Sequence, residues 1–268
     1  MPAEIDFSAL PKKISVKLPK ESTEIVVVKD KPRSKVLCFD HKCYLKITSD
    51  GYLKNEPEMS AFLSDYGLAP KVITSCRKGE NGWLLTEAAQ GTNALDMIQI
   101  NPKETLFTYG KTLRKLHDLP IKDCLCENRA ESMLKRAAGK FFEGKAEADL
   151  LEYCGIKTIS DAYSEMLLLS KHAGKPSVIH GDACLPNLIV GENKDSATFI
   201  DCGNGGIGNR NYDLFWALWS IHFNLKTDQY DKDFWRGYGK SPDEKAMRLF
   251  GLISAFNGYR GRDYYHLF

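Results

Sequence analysis

No C-x-x-C pair occurs among the eight cysteines (Cys38, Cys43, Cys76, Cys124, Cys126, Cys154, Cys184 and Cys202), and only Cys124 and Cys126 stand close together. That pattern argues against a structural metal site and suits reduced thiols in a cytoplasmic protein. Long apolar runs are missing as well. The first twenty residues are broken by Pro2, Pro11 and Pro19 and hold no continuous apolar stretch, so no secretory signal is expected there. No other stretch is long and apolar enough to span a bilayer. Charge of one sign is also lacking. The 37 Lys and Arg against 35 Asp and Glu leave a formal +2, which gives neither nucleic acid nor an anionic membrane a reason to bind. Internal repeats and low-complexity segments are absent. What is present is an ordinary globular composition, 43% hydrophobic and 27% charged, in 268 residues, enough to bury a core as one large domain or two lobes.

The first third of the chain reads as β-rich. Short β-branched or aromatic runs, Glu24-Ile25-Val26-Val27-Val28, Val36-Leu37-Cys38-Phe39 and Cys43-Tyr44-Leu45-Lys46-Ile47, are separated by turn material, with Asp40-His41-Lys42 placed for a tight hairpin. Met59, Phe62, Leu63 and Tyr66 recur at helical spacing, so a helix after Gly51 should turn that stripe toward the sheet. Two more strands are expected near 71–74 and 82–86. Glu87-Ala88-Ala89-Gln90-Gly91 then has the small residues and glycine of a hinge, which divides the chain into residues 1–88 and 89–268. From Asn101 onward the pattern is mainly helical. Asn101-Pro102-Lys103-Glu104 supplies a cap, a first-turn proline and a glutamate before the stripe Leu106, Tyr109, Leu113 and Leu116. Residues 160–172 and the aromatic run 212–223 read as further helices. Ser241-Pro242-Asp243-Glu244 repeats the cap pattern, with Ser241 in the cap position.

One stretch carries chemistry. His180-Gly181-Asp182-Ala183-Cys184-Leu185-Pro186-Asn187, followed by Asp201-Cys202-Gly203, spells H-x-D-x-x-x-x-N and D-x-G, the order and spacing of the catalytic and metal loops of kinase-like phosphotransferases. Transfer of a γ-phosphoryl group needs one carboxylate to accept the proton of the attacking hydroxyl and further oxygens to hold Mg²⁺ on the phosphates. Asp182 fits the first role; Asn187 and Asp201 fit the second. A cation for the phosphates is also required, and Lys46 stands between apolar neighbours in the third strand pattern, with Glu56 or Glu58 as its expected partner.

These motifs resemble those of the aminoglycoside 3′-phosphotransferases, bacterial antibiotic kinases. The likeness is close over 178–187 and 199–203, continues through Tyr212-Asp213, and is weaker from Tyr44 to Val72. The resemblance implies an α+β, protein-kinase-like two-lobed fold: an N-terminal antiparallel sheet plus helix, and a mainly helical C-terminal lobe. It makes Asp182 the catalytic base, Asn187 and Asp201 the Mg²⁺ ligands, Lys46 the ATP-phosphate lysine and Glu56 its ion-pair partner. The hinge backbone at Thr86, Glu87 and Ala88 would hold the adenine edge. The expected phosphate-covering loop, Asp30 to Lys35, has no glycine, so Arg33, Ser34 and Lys35 become the candidates for phosphate contact.

On the acceptor side the chain departs from the family. Tyr265 and His266 stand where the resemblance leads one to expect an acidic pair, and Asn204 and Trp219 where arginines are usual. Asp263, the carboxylate of Phe268, Glu143, Glu147, Asp149 and Glu152 are the remaining sources of negative charge for a polyamine. The leading expectation is ATP-dependent phosphorylation of a small amine-bearing molecule, an aminoglycoside 3′-hydroxyl first. Trp216, Trp219, Trp235, Tyr264 and Tyr265 would suit choline or a related metabolite instead. A nucleotide-binding pseudokinase module is the third reading. Partners are small molecules rather than nucleic acid or membrane, and the chain is expected as a monomer or homodimer. The short span from Gly203 to the next helix leaves no room for a peptide-docking activation segment.

Overall fold

The computed structural model describes residues 9–126 and 128–258. A short helix α1 (Lys12–Ser15) precedes strands β1 (Ile25–Lys31), β2 (Ser34–Phe39) and β3 (Cys43–Thr48), then helix α2 (Glu56–Asp65), then β4 (Val72–Lys78) and β5 (Asn81–Glu87). The strands form one antiparallel sheet in the order β1-β2-β3-β5-β4. The hairpin expected at residues 40–42 is there, with Asp40 and His41 at φ 49° and 55° and the Lys42 N–H donated to Phe39 O at 2.8 Å. Alternation then sorts the side chains. Leu37, Phe39, Cys43, Leu45, Trp83 and Leu85 bury one face under Ile14 of α1. The opposite face carries Val36 and its cross-strand neighbour Lys46.

Helix α2 does not lie on that outer core. Met59 and Leu63 are fully buried with Leu68, Leu188 and Phe199, while Phe62 and Tyr66 pack at the margin of the same cluster. The α2 stripe read from the sequence therefore joins the sheet region to the core of the C-terminal part of the chain.

After the fifth strand come β6 (Thr92–Asn93), α3 (Ala94–Ile100), α4 (Pro102–His117), α5 (Ala130–Phe142), α6 (Ala148–Tyr153) and α7 (Ile159–Leu169). They are succeeded by β7 (Ser177–Ile179), β8 (Leu188–Val190), β9 (Ala197–Phe199), β10 (Gly206–Gly208), α8 (Arg210–Leu225), α9 (Asp231–Tyr238) and α10 (Glu244–Asn257). The short strands form two small sheets, β6-β8-β9 and β10-β7. No helix among the described residues is long and apolar enough to cross a membrane.

Local chemistry explains the helix ends. Asn101 caps α4, its side chain accepting the Glu104 N–H at 3.4 Å, and Leu106, Tyr109, Leu113 and Leu116 are all fully buried. At α10 the expected cap shifts. Asp243 rather than Ser241 caps the helix, accepting the Ala246 N–H at 3.0 Å, and Pro242 stays outside. A carboxylate one residue before the first turn has the shorter reach to those orphan amides.

Helices α4 and α9 cross at backbone contact. A Cβ on Gly110 would stand 2.1 Å from Phe234 O, and one on Gly237 would stand 1.9 Å from Phe107 O. Neither position admits a methyl group without separating the helices, which also carry the buried Tyr109–Phe234 edge-to-face pair. Gly237→Ala should therefore destabilise the fold by about 1–3 kcal/mol, read as a lower denaturant midpoint.

Candidate active site

The loop between β7 and β8 carries Asp182 and is anchored on every side. Asp213, fully buried on α8, accepts the His180 N–H at 2.6 Å and the Gly181 N–H at 2.8 Å. His180 is itself buried. Its Nδ1 accepts the Asp182 N–H at 3.3 Å while Nε2 donates to Ile200 O at 3.1 Å, so both ring nitrogens are engaged in holding the loop. Tyr109 of α4 donates its hydroxyl to Ala183 O, and the Ser220 hydroxyl accepts the Leu185 N–H at 3.1 Å. Gly181, at φ +76°, passes so close to the next loop that a Cβ would stand 2.0 Å from Asn204 O. Burial and the Asp182 carboxylate push the Cys184 thiol well above its usual range, so beside that carboxylate it remains a protonated donor.

The β8–β9 hairpin brings the two candidate metal ligands to one end. Leu188 pairs with Phe199, and one step beyond, the Ile200 N–H donates to Asn187 O at 2.9 Å. Asn187 precedes β8 directly, and Asp201 comes two residues after β9 in a left-handed conformation, φ 58°. The Asn187 amide nitrogen donates to Asp182 O at 2.9 Å, which leaves its Oδ1 as the oxygen for a metal. An amide oxygen and a carboxylate are hard donors, and they fit Mg²⁺.

Opposite that end, Lys46 reaches down from β3. Its Nζ lies 2.6 Å from Glu56 Oε2 and 2.6 Å from Asp201 Oδ1. Burial alone would lower the Lys46 pKa, but the two carboxylates outweigh it and hold the ammonium charged. Burial likewise opposes ionisation of Asp201, and Lys46 with Lys29 overcomes it, so its pKa lies below the usual carboxylate value. Glu56 is deepest, and burial lifts it to about 7 against the pull of Lys46. Glu58, the alternative partner, instead makes a bidentate pair with Arg77 at 2.8 Å on the surface. Glu56 opens α2 and Pro57 occupies its first turn, where a missing N–H costs nothing, so the proline does not divert Glu56 from the cleft.

The remaining sequence candidates lie around this cluster without touching it. Ser34 faces Thr48 at the tip of the sheet, with a buried hydroxyl that has no hydrogen-bond partner. Arg33 and Lys35 pair with Asp50 and Asp30, at 3.3 and 3.2 Å. Thr86 lies across from Tyr44 and Val72 inside the sheet. The hinge amides are engaged, Glu87 with Lys71 O and Ala88 with Lys42 O, both at 2.8 Å. On the acceptor side, Glu143 is held by Lys140 and Lys145, Glu147 is buried, and Asp149 and Glu152 are exposed on α6. Asn204 accepts from Lys54 at 2.8 Å, and Trp219 packs between Trp216 and Phe223. Asp263, Tyr264, Tyr265, His266 and Phe268 lie outside the described residues. Three site groups carry no role that the sequence alone assigns. Asp213 is visible there only as part of the Tyr212-Asp213 match, while Tyr109 and Lys29 give no local signal.

The contrast between the two glutamates is measurable. Glu56→Gln strips a buried partner from Lys46 and should cost up to about 3 kcal/mol, while Glu58→Gln, at an exposed pair, should cost less than about 1 kcal/mol, both measured by denaturant titration. His117, fully buried, donates Nε2–H to Asp213 at 3.3 Å and accepts from the Tyr238 hydroxyl at 2.9 Å, and burial holds its pKa below the usual 6.5. Folding therefore favours the neutral ring: that stabilisation is complete above pH 6.5 and lost as the pH falls through the depressed value. On acidification below about pH 6.5, His117→Gln should lose less thermal midpoint than wild type, and the difference between the two profiles isolates the His117 contribution.

Comparison with known proteins identifies the family. The model of the phosphotransferase enzyme family matches residues 22–250. A probable aminoglycoside 3′-phosphotransferase of Lactococcus lactis is 32% identical over 229 residues, covering 84% of this chain and 87% of that protein. An aminoglycoside 3′-phosphotransferase of Niallia circulans is 31% identical over 211 residues, 76% of this chain and 78% of its own. Among solved structures, aminoglycoside phosphotransferase APH(3″)-Id of Streptomyces rimosus superposes with a TM-score of 0.67 at 21% identity, over 87% of this chain and 92% of its own, and has also been solved in complex with ADP and streptomycin. The fold is thus the two-lobed kinase arrangement implied by the motifs. Because the family match spans Lys46, Glu56, the Asp182 loop and Asp201 together, this chain belongs to the phosphotransferase enzyme family.

Proposed function

We propose that this protein is an ATP- and Mg²⁺-dependent phosphotransferase that modifies a hydroxyl of an aminoglycoside, the 3′-hydroxyl first among candidates. The observation that carries the donor half is the Lys46 ammonium, 2.6 Å from both Glu56 and Asp201, which ties the sheet, α2 and the D-x-G turn into one charge cluster. Glu56 orients Lys46 toward the donor's phosphates. Asn187 Oδ1 and the Asp201 carboxylate hold the metal, which when bound neutralises charge on the transferring phosphoryl group. Asp182 orients the acceptor hydroxyl and takes its proton, while Asp213, His180 and Tyr109 keep the loop from moving as it does so. At the hinge, Ala88 would receive the adenine edge by sharing or exchanging the N–H it donates to Lys42. The acceptor class rests on the names of the relatives that are 32% and 31% identical. Asp149 and Glu152, exposed on α6, are carboxylates open to a polyamine.

A coupled ADP-release assay across aminoglycosides and small amino-alcohols tests both halves. Turnover is expected with aminoglycosides, with phosphate on the 3′-oxygen by NMR, and Asp182→Asn should lower kcat by about 10²–10⁴ while leaving nucleotide binding intact. Turnover of choline without aminoglycosides would replace the acceptor, and full activity in Asp182→Asn would refute the base.

A further inference from the structure

The tip of the β1–β2 hairpin, Lys31-Pro32-Arg33-Ser34, has no glycine, and Pro32 has no N–H to offer. A backbone cradle for phosphates is therefore poorly supplied there. The cations at the tip have acidic partners of their own: Arg33 binds Asp50 and Lys35 binds Asp30. Lys35 also opposes Ile47, on the face away from Lys46.

One β1 lysine is placed differently. A bulge between Val27 and Lys29 shifts the register so that Lys29, not Val28, lies across from Val36, which in turn lies across from Lys46. Lys29, Val36 and Lys46 thus form a row on the cleft face of three adjacent strands, and Val28 is turned out to solvent. The Lys29 Nζ reaches Asp201 Oδ2 at 3.6 Å, on the carboxylate whose other oxygen binds Lys46 at 2.6 Å. The Lys29 contact is long, and its side chain is 38% exposed, whereas that of Lys46 is 10% exposed. Such a pair is weak and readily exchanged.

We propose that Lys29 is a second phosphate-binding cation of the donor site, which leaves Asp201 for the donor's phosphates when nucleotide and metal bind. This rests on the phosphotransferase reading of the site. Two lysines face two carboxylates in the cluster. A divalent cation on Asp201 adds positive charge, and Lys29, with the weaker hold, is the group free to follow the incoming anion. Lys29 thereby supplies from a side chain what the glycine-free tip does not supply from its backbone.

Calorimetric binding of adenosine, ADP and ATP, with and without Mg²⁺, to wild type, Lys29→Met and Lys29→Arg provides the test. Lys29→Met should weaken ADP and ATP by about tenfold with adenosine unchanged, and Lys29→Arg should restore most of the loss. The deficit should shrink in high salt. An unchanged thermal midpoint in Lys29→Met would exclude a folding defect. Equal affinities in wild type and Lys29→Met, or equal weakening of adenosine and ATP, would overturn the proposal while leaving the phosphotransferase reading intact. A wild type that binds no nucleotide would overturn both.

Discussion

Two carboxylates share one buried ammonium at the centre of this protein, and the rest of the site is arranged around that shared contact. Lys46 comes from β3, Glu56 from the first turn of α2, and Asp201 from the left-handed residue after β9. Each side chain is partly or wholly removed from water, so each depends on the other two for compensation. The cluster therefore fixes how the sheet sits against the segment that carries Asp182 and Asn187. It also leaves the second Asp201 oxygen to a more weakly held cation from β1, Lys29 at 3.6 Å.

A second buried carboxylate has a structural role of a different kind. Asp213 accepts two backbone N–H groups from the loop before Asp182 and a third bond from His117. Backbone donors cannot titrate, so the loop geometry rests on groups that stay put across the physiological range, and only His117 adds a pH-sensitive element behind it. Tyr109 and Ser220 complete a cage drawn from α4 and α8, the helices that also fill the core. Core packing and the geometry of the Asp182 loop are thus set by the same two helices, and the glycine-mediated crossing of α4 and α9 braces one of them.

Where sequence reading and structure differ, the cause is local competition. Ser241 and Asp243 both precede α10, and the carboxylate nearer the first turn caps it. Glu56 and Glu58 both precede the α2 stripe; one turns inward to Lys46 and the other pairs with Arg77, which lies 19 residues along the chain from Glu58. Pattern alone does not rank such neighbours, because the ranking depends on which partner the fold brings within reach. The structure does bring the motif residues into contact, Lys46 with Asp201 and Asn187 with Asp182, because a loop or strand of defined length dictates where its polar residues project.

By itself, the sequence determined the positions of the motif residues and the main run of elements, sheet first and helices after. A carboxylate and an amide five residues apart in one loop, a D-x-G turn after a short hairpin and a lysine among apolar strand residues leave few other arrangements, since each constraint is carried by bonded neighbours. Tertiary structure alone decided the partners. It selected Glu56 over Glu58, recruited Asp213 and Tyr109 to hold the loop, and through one bulged residue turned Lys29 rather than Val28 into the cleft. Those outcomes depend on contacts between groups apart in the chain, from Lys46 with Glu56 to Lys29 with Asp201, whose energies exist only once the chain has folded.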